Sequence, residues 1–445
     1  MNLAYQNLKQ LLTEDTDSLI AFNNEINLSS ADFQKHIKVA TNRFKQRPEQ
    51  SYLLFAQNSY DFAVNFVALM LLNKDIVLTA NNKPEWLTSI SNSYQLIIAD
   101  QSVVADIAST HYLESETESS IEFPNILSSE IQFFTSGSSS QPKAIAKTPS
   151  QLLLETETLE QLFAQQVDQG VFFATVSHHH IYGLIFRLLW PLLFRHAFST
   201  ELLLYPEELL AHNHQHPDIC LISSPAFLSR QDNSLDNIVL NQCFSSGSLL
   251  STQAATASFQ QFGVYPIEVF GSTETGGIGY RTQADKNTAW TLFPGLTLAQ
   301  AHRSERAQLH SPYIHHSIPL DDRIELLDDH HFELLGRVDR VVKIEEKRVS
   351  LEALETALKA SDLVNQAKAV VLEQNRTFIA MVVELSEQGL QFLAEHSKRQ
   401  LNQQLKQQLV GQFEAVAIPR KWRYFEHLPY NSQGKLPLTL LSNLF

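Results

Sequence analysis

FFTSGSSSQPKAIAK, residues 133–147, runs an apolar strand into Thr135, Ser136, Gly137, Ser138, Ser139 and Ser140 before Pro142 and Lys143. A loop of small hydroxyl residues around one glycine can wrap backbone N–H groups and side-chain hydroxyls about phosphate oxygens. Taken alone it is equally a flexible serine turn. It is not a Walker loop, because no second glycine precedes the lysine as GxxxxGK[ST] requires.

Three later segments add to it. IEVFGSTETGG, residues 267–277, is an apolar strand, a glycine turn and then Thr273 and Glu274 at the strand end. A carboxylate beside a hydroxyl there suits magnesium held on a nucleotide, and Phe270 offers a flat surface to a base. By itself the segment also reads as an acidic turn near a helix cap. LLGRVDRVVKIEEKRVSLEALE, residues 334–355, sets Arg337, Arg340, Lys343, Lys347 and Arg348 beside Asp339, a pattern that a strand hairpin with a solvated charged face also produces. LPYNSQGKLPLTLL, residues 428–441, places Gly434 before Lys435, where a lone lysine is ordinarily surface decoration.

Around these segments, apolar runs alternate with stretches of helical period: SYLLFAQ, DFAVNFVALMLL, DIVLTA, QLIIAD, IQFFTSG and then PSQLLLETETLEQLF. That alternation predicts an α/β body, a large N-terminal stack of sheets and helices. VFFATVS, ICLISSP and IEVFGS are further strands that end in small residues, where α/β sheets keep their ligands. After about residue 285, RIELLDD and HFELLGR predict a β-rich subdomain joined by the acidic turn LDDHH. Beyond residue 340 a helix at VSLEALETALKA, paired strands at AKAVVLEQ and TFIAMVVEL, and a Gln-rich helix over 386–410 predict a small α+β C-terminal domain.

The 445 residues suffice for two or three domains with a large core, and 44% hydrophobic with 18% charged residues excludes a disordered chain. Cys220 and Cys243 allow at most one disulfide and are read as buried thiols of a cytoplasmic protein. The start of the chain does not read as a signal peptide, and the run Ile181–Phe194 contains Arg187 and is short for a membrane span, so it reads as core. The net charge is −15, with −18 on residues 1–339 and +3 on 340–445. So acidic a body is a poor partner for nucleic acid, whose binding rests on Lys and Arg at phosphates.

In this order and at these separations the four segments resemble the adenylate-forming superfamily: acyl-CoA synthetases, adenylation domains of nonribosomal peptide synthesis, and luciferase. The resemblance runs from about residue 130 to the end, and it implies a large domain at 1–338 that binds ATP and acid, with a small mobile domain at 339–445. It implies ATP phosphates on Thr135, Ser136, Gly137, Ser138, Ser139 and Lys143. FSSGSLLS would set Ser246, Gly247 and Ser248 at the adenine edge, with Phe270 stacked on the base beside Gly271. Thr273 matches the α-phosphate position and Glu274 the magnesium position. Asp322 and Arg337 match the ribose positions, although the usual threonine and glycine before Asp322 are absent. HHHIYGL resembles the segment lining the acid pocket, with His180 nearest the carboxylate and Gly183 allowing close approach. Asp339 matches the hinge and Lys435 the catalytic lysine.

The implied activity is an acid–thiol ligase using ATP and Mg2+, with free CoA or the phosphopantetheine of an acyl carrier protein as acceptor and an aryl or fatty acid as substrate. A cation between an attacking carboxylate and an anionic phosphate lowers their repulsion, which is the physical case for Lys435. The basic cluster Arg420, Lys421 and Arg423 would suit an acidic carrier. Two departures, Ser140 and Glu346 at positions where glycine is usual, frame the alternative of a catalytically incomplete nucleotide-binding regulator. A metalloprotein built on the histidine pairs is disfavoured, because neighbours on a strand point to opposite faces.

Overall fold

The computed structural model describes the chain apart from residues 1, 80–81, 101–102, 115–119, 137–141, 169, 214, 230–237, 285–287, 301–305, 338–339, 345–346, 374–376, 411, 414 and 431–435. It divides into two compact units, residues 1–297 with 310–317, and residues 298–309 with 318–445.

The first unit holds two largely parallel sheets. One has the strand order Ile107–Ala108, Leu96–Ala99, Ser51–Phe55, Asp75–Thr79, Ile131–Ser136, Pro142–Lys147, and only its last pairing is antiparallel. Its central runs, SYLLF and DIVLT, show no alternation, and four of the five residues in each are buried. Continuous apolar runs belong to parallel strands covered on both faces. Helix Ser59–Leu71 connects the two, with the Asn58 side chain accepting from the Tyr60 and Asp61 amides, and every residue but Asp61 is buried. Such a cap contributes about 1 kcal/mol. This helix touches both sheets, since Ser59 also donates from N and Oγ to the carbonyls of Thr200 and Ser199.

The second sheet orders Trp290–Leu292, Gly276–Thr282, Ile267–Ser272, Gln242–Ser245, Ile219–Ser223, Val171–Ala174, Phe198–Ser199, Leu19–Phe22 and Asn27–Ser29. The six strands from Ile267–Ser272 to Leu19–Phe22 are parallel, so their C-terminal ends share one edge. One face is closed by an aromatic cluster in which Phe244 meets Phe163 at 5.2 Å and Trp190 at 5.4 Å. The run Ile181–Phe194 is core, as expected, but not one regular helix: Leu184–Leu189 is a π-turn followed by Trp190–Phe194. Pro191 has no N–H for the Arg187 carbonyl, which favours a wider ladder just before it.

In the second unit, Asp322–Leu326 pairs antiparallel with His331–Arg337. The expected acidic turn closes this hairpin: Asp328 accepts from the amides of His330 and His331, both at 2.7 Å. Val341–Ile344 and Lys347–Ser350 form the second hairpin, and Leu351–Lys359 the expected helix. Val364–Glu373, Thr377–Leu385 and Lys421–Phe425 build a three-stranded sheet. Leu354, Leu358, Leu401, Leu405 and Leu409 cover one face, while Leu428 and Leu441 pack with Val370, Phe378 and Val382 on the other. The single helix expected over 386–410 is two, Glu387–Glu395 and Lys398–Val410. Ser397 starts the second one, its Oγ accepting from the Gln400 amide while the Gln400 side chain accepts from the Ser397 amide. That reciprocal cap resets the chain. Among the described residues no helix is long and apolar enough to cross a membrane.

Candidate active site

Strand register and turn geometry bring the first two motifs together. In the hairpin Ile131–Ser136/Pro142–Lys147, Thr135 lies opposite Lys143 and Ser136 opposite Pro142, at the C-terminal end of a parallel strand. The Lys143 ammonium lies 2.6 Å from Glu274 Oε1. Glu274 sits in the turn between Ile267–Ser272 and Gly276–Thr282, where Ser272 N–H donates to Thr275 Oγ1 at 2.9 Å and Thr275 Oγ1 donates to the Gly276 carbonyl at 2.7 Å. Gly276 has φ +72°, and a Cβ there would lie 2.6 Å from a Glu155 oxygen, so both backbone and space demand glycine. Thr273 shares this turn.

Partial burial raises the Glu274 pKa, but hydrogen bonds from Lys143 and Ser272 outweigh it and hold the carboxyl below the usual range. An ionised carboxylate oxygen is the hard donor that magnesium prefers, so the residues present fit that ion. The two side chains of this ion pair remain 58% and 41% exposed. A pair in that setting contributes at most about 1 kcal/mol.

Two residues beneath the turn escaped the sequence reading. Lys147 is 4% exposed, and its ammonium donates to the Glu274 carbonyl at 2.7 Å and to the Tyr313 carbonyl at 3.3 Å. Glu155, also 4% exposed, accepts from the Gly277 amide at 2.7 Å. Burial lowers the Lys147 pKa against the pull of Glu155 and Glu274, and burial lifts Glu155 to about 7 against the Gly277 hydrogen bond and the Lys147 charge. The available signal was a charge in an apolar setting: Lys147 ends the strand AIAK, and Glu155 stands on the buried stripe of Leu152 and Leu159 in helix Pro149–Val167.

At the adjoining strand end, Ser246 Oγ donates to the Val269 carbonyl at 2.7 Å, fixing the FSSGS turn next to Phe270. Gly247 takes φ +95° with open space around it, and Ser248 is exposed. Phe270 is half-buried with its ring 5.7 Å from Trp290, and a Cβ on Gly271 would strike the Gly276 carbonyl.

His180 precedes the short helix Ile181–Gly183. The close approach at Gly183 is made by the Ser177 carbonyl, where a Cβ would clash. The two preceding histidines organise this loop. His178 Nε2–H donates to the Ala56 carbonyl at 2.7 Å, which leaves Nδ1 to accept from buried Arg187 at 3.2 Å. His179 stacks on Phe55 at 4.3 Å. Burial, reinforced by the Arg187 charge, brings His179 down to about 3, so it is neutral at physiological pH.

Within the second unit, Asp322 and Arg337 are direct cross-strand partners, so the hairpin register brings the two ribose candidates to one end. Gly336 beside them has φ +101°, and a Cβ would collide with the Glu352 carboxylate. Arg340, next to the expected hinge, pairs with buried Glu355, which Lys368 also reaches at 3.2 Å. Gly137, Ser138, Ser139, Asp339 and Lys435 lie outside the described residues, as do Ser140 and Glu346. Among the described residues no cluster of three or more His, Cys, Asp or Glu side chains is arranged to hold a metal ion.

No family model matches the sequence. A 4-coumarate–CoA ligase of Cereibacter sphaeroides is 24% identical over 307 residues, which are 68% of this chain and 69% of that protein. A D-alanine–D-alanyl carrier protein ligase of Staphylococcus haemolyticus is 29% identical over 110 residues, 24% of this chain and 21% of that protein. Among solved structures, ATP-bound MatB from Rhodopseudomonas palustris matches with a TM-score of 0.78 at 15% identity, covering 100% of this chain and 99% of its own. Fold, motif order and relatives together fit the adenylate-forming superfamily that the sequence resembles.

Proposed function

We propose that the chain is an AMP-forming carboxylic acid–thiol ligase. The observation that carries this reading is the meeting of Lys143, on the strand leaving the hydroxyl loop, with Glu274, in the turn at the C-terminal edge of the second sheet. A cation and a carboxylate side by side at strand ends suit a nucleotide polyphosphate and its metal.

In the first step a carboxylate oxygen of the acid attacks the α-phosphorus of ATP, the bond to the bridging oxygen breaks, and pyrophosphate leaves. In the second a thiol sulfur attacks the acyl carbon, AMP departs, and the thiol proton passes to solvent. Thr135, Ser136, Gly137, Ser138, Ser139 and Lys143 receive the phosphates. Ser246, Gly247, Ser248, Phe270 and Gly271 frame the adenine, and Asp322 with Arg337 the ribose. Thr273 faces the α-phosphate, and His180 with Gly183 borders the acid. Glu274 would hold magnesium, which when bound neutralises charge on the phosphates.

Lys435 stands between the two anions in the first step, and residues 339–445 turn about Asp339 before the second. The acid is aryl or fatty and the acceptor is CoA or a carrier protein, the two acceptor types named in the relatives. Of the basic cluster considered for a carrier, Arg423 already donates to the Leu444 carbonyl and Lys421 lies over the Phe378 ring. Two buried free thiols, Cys220 and Cys243, fit a reducing cytoplasm.

Pyrophosphate exchange with a panel of aryl, fatty and amino acids tests the reading, followed by mass detection of product with CoA and with a phosphopantetheinylated carrier. Exchange with at least one acid is expected, and Lys435→Ala should slow it while ATP still binds. Silence with every acid would overturn the ligase and favour a nucleotide-binding regulator.

A further inference from the structure

Two lysines of one strand converge on Glu274 from different sides. Lys143 and Lys147 are four residues apart and so share a face of the strand. The first takes the Glu274 carboxylate at 2.6 Å and the second takes its backbone carbonyl at 2.7 Å. Below the turn, Glu155 accepts from the Gly277 amide, and Tyr313, whose carbonyl also receives Lys147, is anchored by its hydroxyl on Thr158 Oγ1 at 2.7 Å. Strand, helix and the segment 310–317 thus meet under residues 272–277 with polar groups, in a place that is almost wholly buried.

Polar support is a costly way to hold a turn. Burying a lysine and a glutamate carries a desolvation penalty that well-packed apolar side chains would avoid. What the polar arrangement supplies is direction: a donor fixed on the Glu274 carbonyl and an acceptor fixed on the Gly277 amide set the peptide planes on either side of Thr275 and Gly276. The Glu274 side chain then leaves the turn toward Lys143 without searching. Apolar packing could fill the same volume but could not orient these peptides.

We propose that Lys147 and Glu155 are positioning residues that orient the 272–277 turn, and through it the Glu274 carboxylate, for its nucleotide partner. The orientation of the turn follows from the bonds of Lys147 and Glu155 alone. Its consequence for nucleotide use rests on the ligase reading above.

The test compares the full chain with Lys147→Met, Lys147→Arg and the paired variant Lys147→Met with Glu155→Gln, which leaves no lone buried charge if the single variant folds poorly. Amide hydrogen exchange is followed at residues 273–277, with helix Leu351–Lys359 as the internal reference. Exchange at the turn is expected to quicken ten-fold or more in Lys147→Met and in the paired variant, with the reference helix unchanged and Lys147→Arg restoring part of the protection. Unaltered turn exchange in both methionine variants overturns the proposal, whatever their activity. In pyrophosphate exchange the KM for Mg-ATP should rise about ten-fold, while the KM for the acid moves less than two-fold. Equal rises in both constants, with a protected turn, would also overturn it. If the unaltered chain is silent with every acid, the ligase reading falls and the amide measurement still decides the role of Lys147 and Glu155.

Discussion

Lys143 and Lys147 leave one face of one strand and reach one residue, yet they sit in different media. The pair at Lys143 is more than two-fifths exposed on either side, whereas Lys147 and Glu155 are each 4% exposed. In water an ion pair is cheap to make and cheap to break, so Lys143 can release Glu274 when a phosphate or a metal competes. In the interior an ammonium held on two backbone carbonyls finds no water to replace them, which makes Lys147 a fixture. Of two identical side chains on one strand, only the exposed one can exchange its partner at little cost.

The largest effect expected is on stability. Lys147→Met leaves the Glu274 and Tyr313 carbonyls without their buried donor and should lower unfolding free energy by about 3 kcal/mol. Denaturant titration checks this, and a loss below about 1 kcal/mol would erase the contrast.

Next comes the pH dependence of Glu155. Its pKa is about 7 in the folded chain against 4.5 as the ordinary value, so between these the folded form holds the extra proton. Stability therefore falls as pH rises through this window, by about 3 kcal/mol at most. Glu155→Gln should remove that slope from stability measured between pH 4.5 and 7. An unchanged slope would mean that Glu155 ionises freely.

Glu274→Gln should slow pyrophosphate exchange about 100-fold, roughly 2.7 kcal/mol of barrier, and raise the magnesium requirement. An unchanged magnesium titration would count against the assigned ligand. The smallest effect is at Lys143→Ala, where loss of an exposed pair should cost less than about 1 kcal/mol of stability. Thermal melting of this variant alongside Lys147→Met sharpens the comparison, and equal losses would abolish it.

Much of this arrangement could be read from residue order. Unbroken apolar runs such as DIVLT and ICLIS announce strands because a parallel strand must be apolar on both faces. Thr273 and Glu274 stand out because a strand ends just before them. Lys147 and Glu155 did not, since a charge inside an apolar stretch acquires meaning only when tertiary packing shows what it touches. The break at Ser397 hides for a different reason: Gln-rich sequence keeps helical period on both sides, and only the reciprocal bonds with Gln400 show the restart. His178 was read as part of a run, yet its ring joins the loop before Ile181–Gly183 to the end of strand Ser51–Phe55 through Ala56, a link between residues 122 positions apart.

One face of the sheet of the second unit is covered by residues 441–445 together with Leu428. Leu441 lies in the cluster with Val370, Phe378 and Val382, and Arg423 grips the Leu444 carbonyl and lies 4.9 Å from the Phe445 ring. Lys435 is thus flanked in sequence by Leu428 and Leu441, two anchors in the same apolar layer. Replacing Leu441, Leu444 and Phe445 with polar residues would thus unroof one face of this β-sheet without touching a strand.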